Sequence, residues 1–148
     1  MTRLGNGMWL AVCDGGKAML LENKGDWEYP KLEMREHLEQ SIPPSRDLGT
    51  APPGRAFSGA RGRRAGMEQT DYHDQAEEIF LAAFADRINR LVSERGIRLF
   101  LAAPPRALGM LRPHLTEKTR AALAAELPHD YVKRPLYEIE KLICAKAG

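Results

Sequence analysis

The stretch from Asp71 to Arg95 constrains this chain most. Ala76, Ile79, Phe80, Ala83, Phe84, Ile88, Leu91 and Val92 recur at the i, i+3, i+4, i+7 spacing of one helical face. Thr70 or Asp71 serves as the cap, Asp74, Glu77 and Glu78 suit the positive end of the helix dipole, and Gly96 ends the element. Ile97 to Ala103 follows at once as an apolar run stopped by Pro104-Pro105, which reads as a buried strand. An amphipathic helix delivered straight into a buried strand needs a sheet on which both can pack, so the class is α/β.

The remaining elements fit that class. Met8 to Cys13 and Lys17 to Asn23 are short apolar runs joined by Asp14-Gly15-Gly16, the pattern of a β-hairpin. Leu32 and Met34 alternate with Glu33 and Arg35, which predicts a third strand over Lys31–Leu38 and an antiparallel meander. After the buried strand, Arg106 to Arg112 predicts a short helix. Thr116 to Glu126 predicts a second, with Thr116 as cap and Leu123 and the alanines inward. Leu127 to Arg134 reads as a last edge strand, and Pro135 opens a final helix through Leu136, Ile139, Leu142 and Ile143. The order β-β-β-α-β-α-β-α predicts a mixed five-stranded sheet with helices packed on it, the ribonuclease-H-like plan. At 148 residues the chain matches one domain over 1–148.

Residues 41–69 show no apolar period and are rich in Pro and Gly, so they read as a long flexible loop. Arg55, Arg61, Arg63 and Arg64 lie there, with no acidic residue between Asp47 and Glu68. Net charge is only +2 and the halves flanking the loop are balanced, so the basicity is local to it. Four guanidiniums with one aromatic, Phe57, suit phosphate contact and base stacking, as in contact with ribosomal or transfer RNA. A solvated loop and a loop that orders against a protein partner remain the alternatives. His73 adjoins it and offers a phosphate contact or a proton carrier near neutral pH, or is an exposed first-turn residue.

Other chemistry is thinly supported. A cluster of Asp14, Glu22, Asp71 and Asp74 would suit two divalent ions in a nuclease, but Asp14 before Gly-Gly is more simply a turn residue and the last two are helix N-terminal charges. Cys13 and Cys144 lack zinc-site neighbours and read as buried, reduced thiols. His37, His114 and His129 have no ligand partner at helical spacing and read as surface or capping residues. Pro104-Pro105-Arg106 stands at the end of a buried strand, where α/β proteins place sites, or is only a stop and start signal. The sequence has no phosphate-binding glycine motif, so no cofactor is implied, and no metal is required. No run has the length of a membrane span and the N-terminus lacks a signal-peptide pattern, so a cytoplasmic protein without membrane contact is expected. An exposed edge strand at Lys31–Leu38 or Leu127–Lys133 offers a route to a homodimer.

Three separated blocks carry a resemblance. WLAVCDGGKAMLLEN, GRAFSGARGRRAGMEQTDYHDQAEEIF and LFLAAPPRALGMLRPHLTEKTRAALAAELPHDY together resemble the bacterial family called "protein required for attachment to host cells". That family in turn resembles the middle domain of archaeal and eukaryotic class-1 peptide release factors, where a Gly/Arg loop before a long helix carries a Gly-Gly-Gln that helps water attack peptidyl-tRNA. Here Gly54 to Arg64 contains no Gly-Gly-Gln, and Gln69 stands nearer the helix than the loop tip. The resemblance therefore implies contact with the translation apparatus without hydrolysis, through Arg55, Phe57, Arg61, Arg63, Arg64, Gln69 and His73. The alternative it implies is a protein-interaction factor that supports attachment.

Overall fold

The computed structural model describes the backbone of residues 3–40 and 58–147 and the side chains of 3–40 and 74–144. Five strands form one mixed sheet in the order β3-β2-β1-β4-β5. β1 (Trp9–Cys13) and β2 (Lys17–Asn23) make the expected hairpin, with Asp14 Oδ1 accepting from the N–H groups of Gly16 and Lys17 at 2.8 Å each. β3 (Leu32–Glu39) completes the meander, with a register shift opposite Leu20/Leu21 that makes Arg35 the extra residue. β4 (Leu99–Ala102) runs parallel to β1, and β5 (Leu123–Leu127) parallel to β4.

The long helix α1 (Ser58–Arg95) packs on one face with α2 (Pro105–Leu111) and α3 (Glu117–Ala122), and α4 (Leu136–Ala147) packs on the other. Strand residues alternate between the two layers: Trp9, Ala11, Cys13, Leu20, Leu99 and Leu101 meet α1, whereas Leu10, Val12, Leu21 and Phe100 meet Ile139 and Ile143 of α4. Gly96, at φ +63°, ends α1 in the left-handed conformation, its N–H bonded to Val92 O at 2.9 Å. Thr116 caps α3, its hydroxyl accepting from Thr119 N at 3.2 Å.

Four features of the fold depart from what the sequence predicts. The loop assigned to 41–69 ends earlier, because α1 begins at Ser58 rather than at Asp71. Ala60, Arg61, Arg63, Arg64, Ala65, Met67, Glu68 and Gln69 are good helix formers, and extending an existing helix requires no new nucleation, so three glycines do not stop it. The rest of that loop, 41–57, lies outside the described residues. On α1, Ile79 and Ala83 face solvent while Leu81 and Ala85 are buried. The predicted helix 116–126 stops at Ala122, and the last strand is Leu123–Leu127 rather than 127–134. Pairing beside β4 overrides the helical propensity of Leu-Ala-Ala-Glu-Leu, and Pro128 then ends the strand. Finally, Cys144 is partly exposed, its thiol 3.8 Å from the carbonyl oxygens of Trp27 and Glu28.

Candidate functional site

Two regions collect functional side chains. The first lies at the carboxyl ends of β1 and β4. Pro104 and Pro105 start α2 there and bring Arg106 against α1, where it donates to Asp74 Oδ1 at 2.6 Å and to Glu77 Oε1 at 3.3 Å. These bonds, Asp74 first, hold the Arg106 guanidinium above its usual range. The Glu77 carboxylate rests on Gly15, where a Cβ would come within 2.8 Å of it. Gly15, Glu77, Leu81, Pro104, Arg106 and Ala107 enclose a cavity of only about 100 Å³, too small for an organic substrate but enough for a few water molecules. At the end of β1, burial pushes the Cys13 thiol up to about 12, with Asp14 and Asp130 adding to the effect.

The structure brings Asp14 and Asp74 to this end of the sheet but leaves Glu22 out. Glu22 pairs opposite Trp9, four residues from Cys13 or about 13 Å along the ladder, and binds Arg35 at 2.8 Å. Asp14 is engaged by its turn and Asp74 by Arg106. Among the described residues no group of three or more His, Cys, Asp or Glu is placed to hold a metal ion. Arg61, Arg63, Arg64, Gln69, Asp71 and His73 lie on α1, ahead of its contact with the sheet end, and their side chains are outside the described residues. Arg55 and Phe57 lie outside them altogether. His37 is on β3, and His114 sits 3.7 Å from Glu78. His129 stacks on Tyr131 at a centroid distance of 5.8 Å.

The second region was not foreseen from the sequence. Trp27 and Tyr29, in the β2–β3 loop, are 43% and 75% exposed, and Met34 and Tyr137 are 43% and 62% exposed. α4, which carries Tyr137, borders the loop and the strand that carry the other three. Glu140 accepts from Leu32 N at 2.7 Å, and Cys144, one turn on, reaches the carbonyls of Trp27 and Glu28, so α4 runs antiparallel to β3. Tyr137 lies about 4.5 Å back along that helix axis. Met34 lies about 6.6 Å along the strand from Leu32 on the same face. Arg3 stacks over Trp27 at 3.7 Å and Lys141 over Tyr137 at 5.9 Å.

The loop conformation is built in. Asn23, fully buried at the end of β2, accepts from Gly25 N and Lys31 N at 2.9 Å each and donates to Leu4 O at 2.8 Å. At Gly25 a Cβ would fall 2.2 Å from Tyr29 O, so the close return of the chain requires glycine there. Two sequence signals were available: aromatic residues in a polar loop ending at Pro30, and a Tyr137 off the period of Leu136, Ile139, Leu142 and Ile143.

Among the described residues no helix is long and apolar enough to cross a membrane. Compared with known protein families, residues 9–143 match the family described as "Protein required for attachment to host cells". A comparison with curated proteins finds no match.

Proposed function

The chain belongs to the family of proteins required for attachment to host cells, and on that premise we propose that it is a protein-interaction factor supporting the attachment of a bacterial cell to its host. One observation carries the interaction reading: among the described residues, four of the five exposed large apolar side chains, Trp27, Tyr29, Met34 and Tyr137, belong to the β2–β3 loop, β3 and α4, elements that touch one another, with Arg3 and Lys141 at two of the rings. Aromatic residues, methionine and arginine are the types enriched where proteins meet. The proposal takes the sheet as a ribonuclease-H-like plan and the chain as cytoplasmic, so that its effect on attachment runs through a partner.

The second reading is contact of the arginine-rich segment with ribosomal or transfer RNA, as the release-factor resemblance implies. It is favoured by the early start of α1, which sets Arg61, Arg63 and Arg64 in the first two turns, where the helix dipole adds to their positive charge.

Attachment assays on cells deleted for the gene separate the two. Truncating one central interface aromatic typically costs about 2 kcal/mol, roughly thirtyfold in affinity. A chain carrying Trp27→Ala, Tyr29→Ala and Tyr137→Ala is therefore expected to fail to restore attachment at normal protein level. The Arg55, Arg61, Arg63, Arg64 to alanine variant is expected to restore it. The opposite pattern, with salt-labile ribosome co-sedimentation lost in the arginine variant, would discard the interaction reading in favour of the second.

A further inference from the structure

The two edges of the sheet differ in kind. β3 is guarded against a further strand by Glu33, Arg35, Glu36 and Glu39 and by its bulge. β5 reads Leu123-Ala124-Ala125-Glu126-Leu127, with one charge, and none of its residues is buried, whereas every residue of its neighbour β4 is. Its own irregularity lies at Ala124, near the strand's start, and leaves Ala125 to Leu127 regular. The Leu127 carbonyl accepts from Ala103 N at 3.0 Å and so points toward β4. By alternation Glu126 turns its backbone N–H and C=O outward, and among the described residues no strand pairs with that side.

Beside this edge lies an open groove of about 360 Å³ lined by Arg112, Leu115, Arg120, Leu123, Ala125 and Glu126. Leu115 is buried and gives it an apolar floor. Arg112 is committed to Glu126 by bonds of 3.0 and 2.6 Å. Arg120 gives one Nη2 bond, of 2.7 Å, to Arg112 O, which leaves donors of its guanidinium for a ligand at the rim.

We propose that the outer edge of β5 and this groove bind an extended acidic peptide strand from a partner protein. The ladder comes from Glu126 backbone groups, the groove holds an apolar side chain, and Arg120 pairs with a carboxylate of the peptide. The unpaired edge calls for a strand, and the arginine at the rim calls for acidic residues. A second copy of β5 would bring one carboxylate already bound by its own Arg112, which leaves Arg120 unmatched. This inference rests on the interaction reading but uses the sheet edge opposite the one near the aromatic surface.

The test is selection of random dodecapeptides, displayed on phage, by the full chain, with fluorescence anisotropy of the enriched peptides after synthesis and labelling. Enriched sequences are expected to alternate aliphatic residues with Asp or Glu. They are expected to bind at least about tenfold more weakly to Arg120→Glu, the value of one charge-assisted hydrogen bond. Glu126→Pro, which removes the outward N–H while sparing the β4 ladder, is expected to weaken them similarly, and bound peptide is expected to slow amide exchange at Glu126. Failure to enrich any peptide over the Glu126→Pro chain overturns the proposal, as does equal binding to Arg120→Glu. Protection of Glu126 by self-association without peptide overturns it in favour of a second copy. Lost attachment in the Trp27, Tyr29, Tyr137 variant with no peptide selected at β5 discards this site and keeps the interaction reading.

Discussion

Between pH 9 and pH 12 the native chain is expected to lose up to about 4 kcal/mol of stability through the thiol of Cys13. Cys13 ends β1 with no exposed surface, between the α1 layer and the hairpin, and both its burial and the neighbouring Asp14 and Asp130 disfavour a thiolate. Its pKa rises from an ordinary 9.0 to about 12 on folding. Below pH 9 both native and unfolded states hold the proton and nothing is lost. Above pH 9 the unfolded chain releases it while the native chain keeps it, and each pH unit costs about 1.4 kcal/mol until the native thiol also ionises. Urea unfolding of wild type beside Cys13→Ala from pH 8 to 11 isolates this contribution, because tyrosines and lysines titrate alike in both. The stability difference between the two chains should shift steadily against wild type as pH rises. A difference that stays constant would mean that Cys13 meets solvent. At pH 8 a thiol reagent should modify the partly exposed Cys144 and reach Cys13 only in urea.

The hairpin, β4, the Thr116 cap and the Gly96 stop were legible because each is decided within a few residues: an apolar run, a turn, a hydroxyl, a left-handed glycine. The misreadings concern choices made by distant partners. Ile79 and Phe80 fit the helical period equally well, and only the position of the sheet turns Phe80 inward and leaves Ile79 65% exposed. Leu123 to Leu127 has helix-forming composition, and it becomes a strand because β4 offers a ladder beside Leu99 and Phe100. Ser58 to Gln69 reads as loop through its glycines and is helical because it continues a helix already nucleated downstream.

The candidate site divides in the same way. Arg106 and Pro104 could be placed at a sheet end from the order of elements, but their partners Asp74 and Glu77 lie about thirty residues earlier, and sequence spacing does not encode that meeting. The carboxylates suggested for a metal cluster share a residue type but not a location, since the antiparallel register of β1 and β2 carries Glu22 away from Asp14. Trp27 and Tyr137 are separated by more than a hundred residues, and the elements that carry them meet only because α4 runs antiparallel to β3.

Asn23→Ala is expected to lower stability by about 4 kcal/mol, measured by urea unfolding, from the loss of four hydrogen bonds of a buried amide worth about 1 kcal/mol each and the groups left unpaired. The amide touches three backbone segments. Its Nδ2 donates to Leu4 O at 2.8 Å and Asp26 O at 3.2 Å, while its Oδ1 accepts from Gly25 N and Lys31 N, both at 2.9 Å. Asparagine is required because the site needs donors and acceptors together. Asn23→Asp keeps the acceptors but turns a carboxylate onto the carbonyls of Leu4, Gly5 and Asp26 in a buried position, so it should cost at least as much. Because Gly25, Asp26 and Lys31 frame the loop carrying Trp27 and Tyr29, the alanine variant, at temperatures where it stays folded, should show rapid amide exchange at Gly25 and Lys31. Exchange at Glu126, on the far edge, should be unchanged. The same variant should then lose any partner held by Trp27 and Tyr29 while retaining a strand held by β5, which assigns each ligand to its surface without touching a contact residue. A loss of less than about 1 kcal/mol, the worth of a single hydrogen bond, would show that water replaces Asn23 and that the loop conformation is set elsewhere.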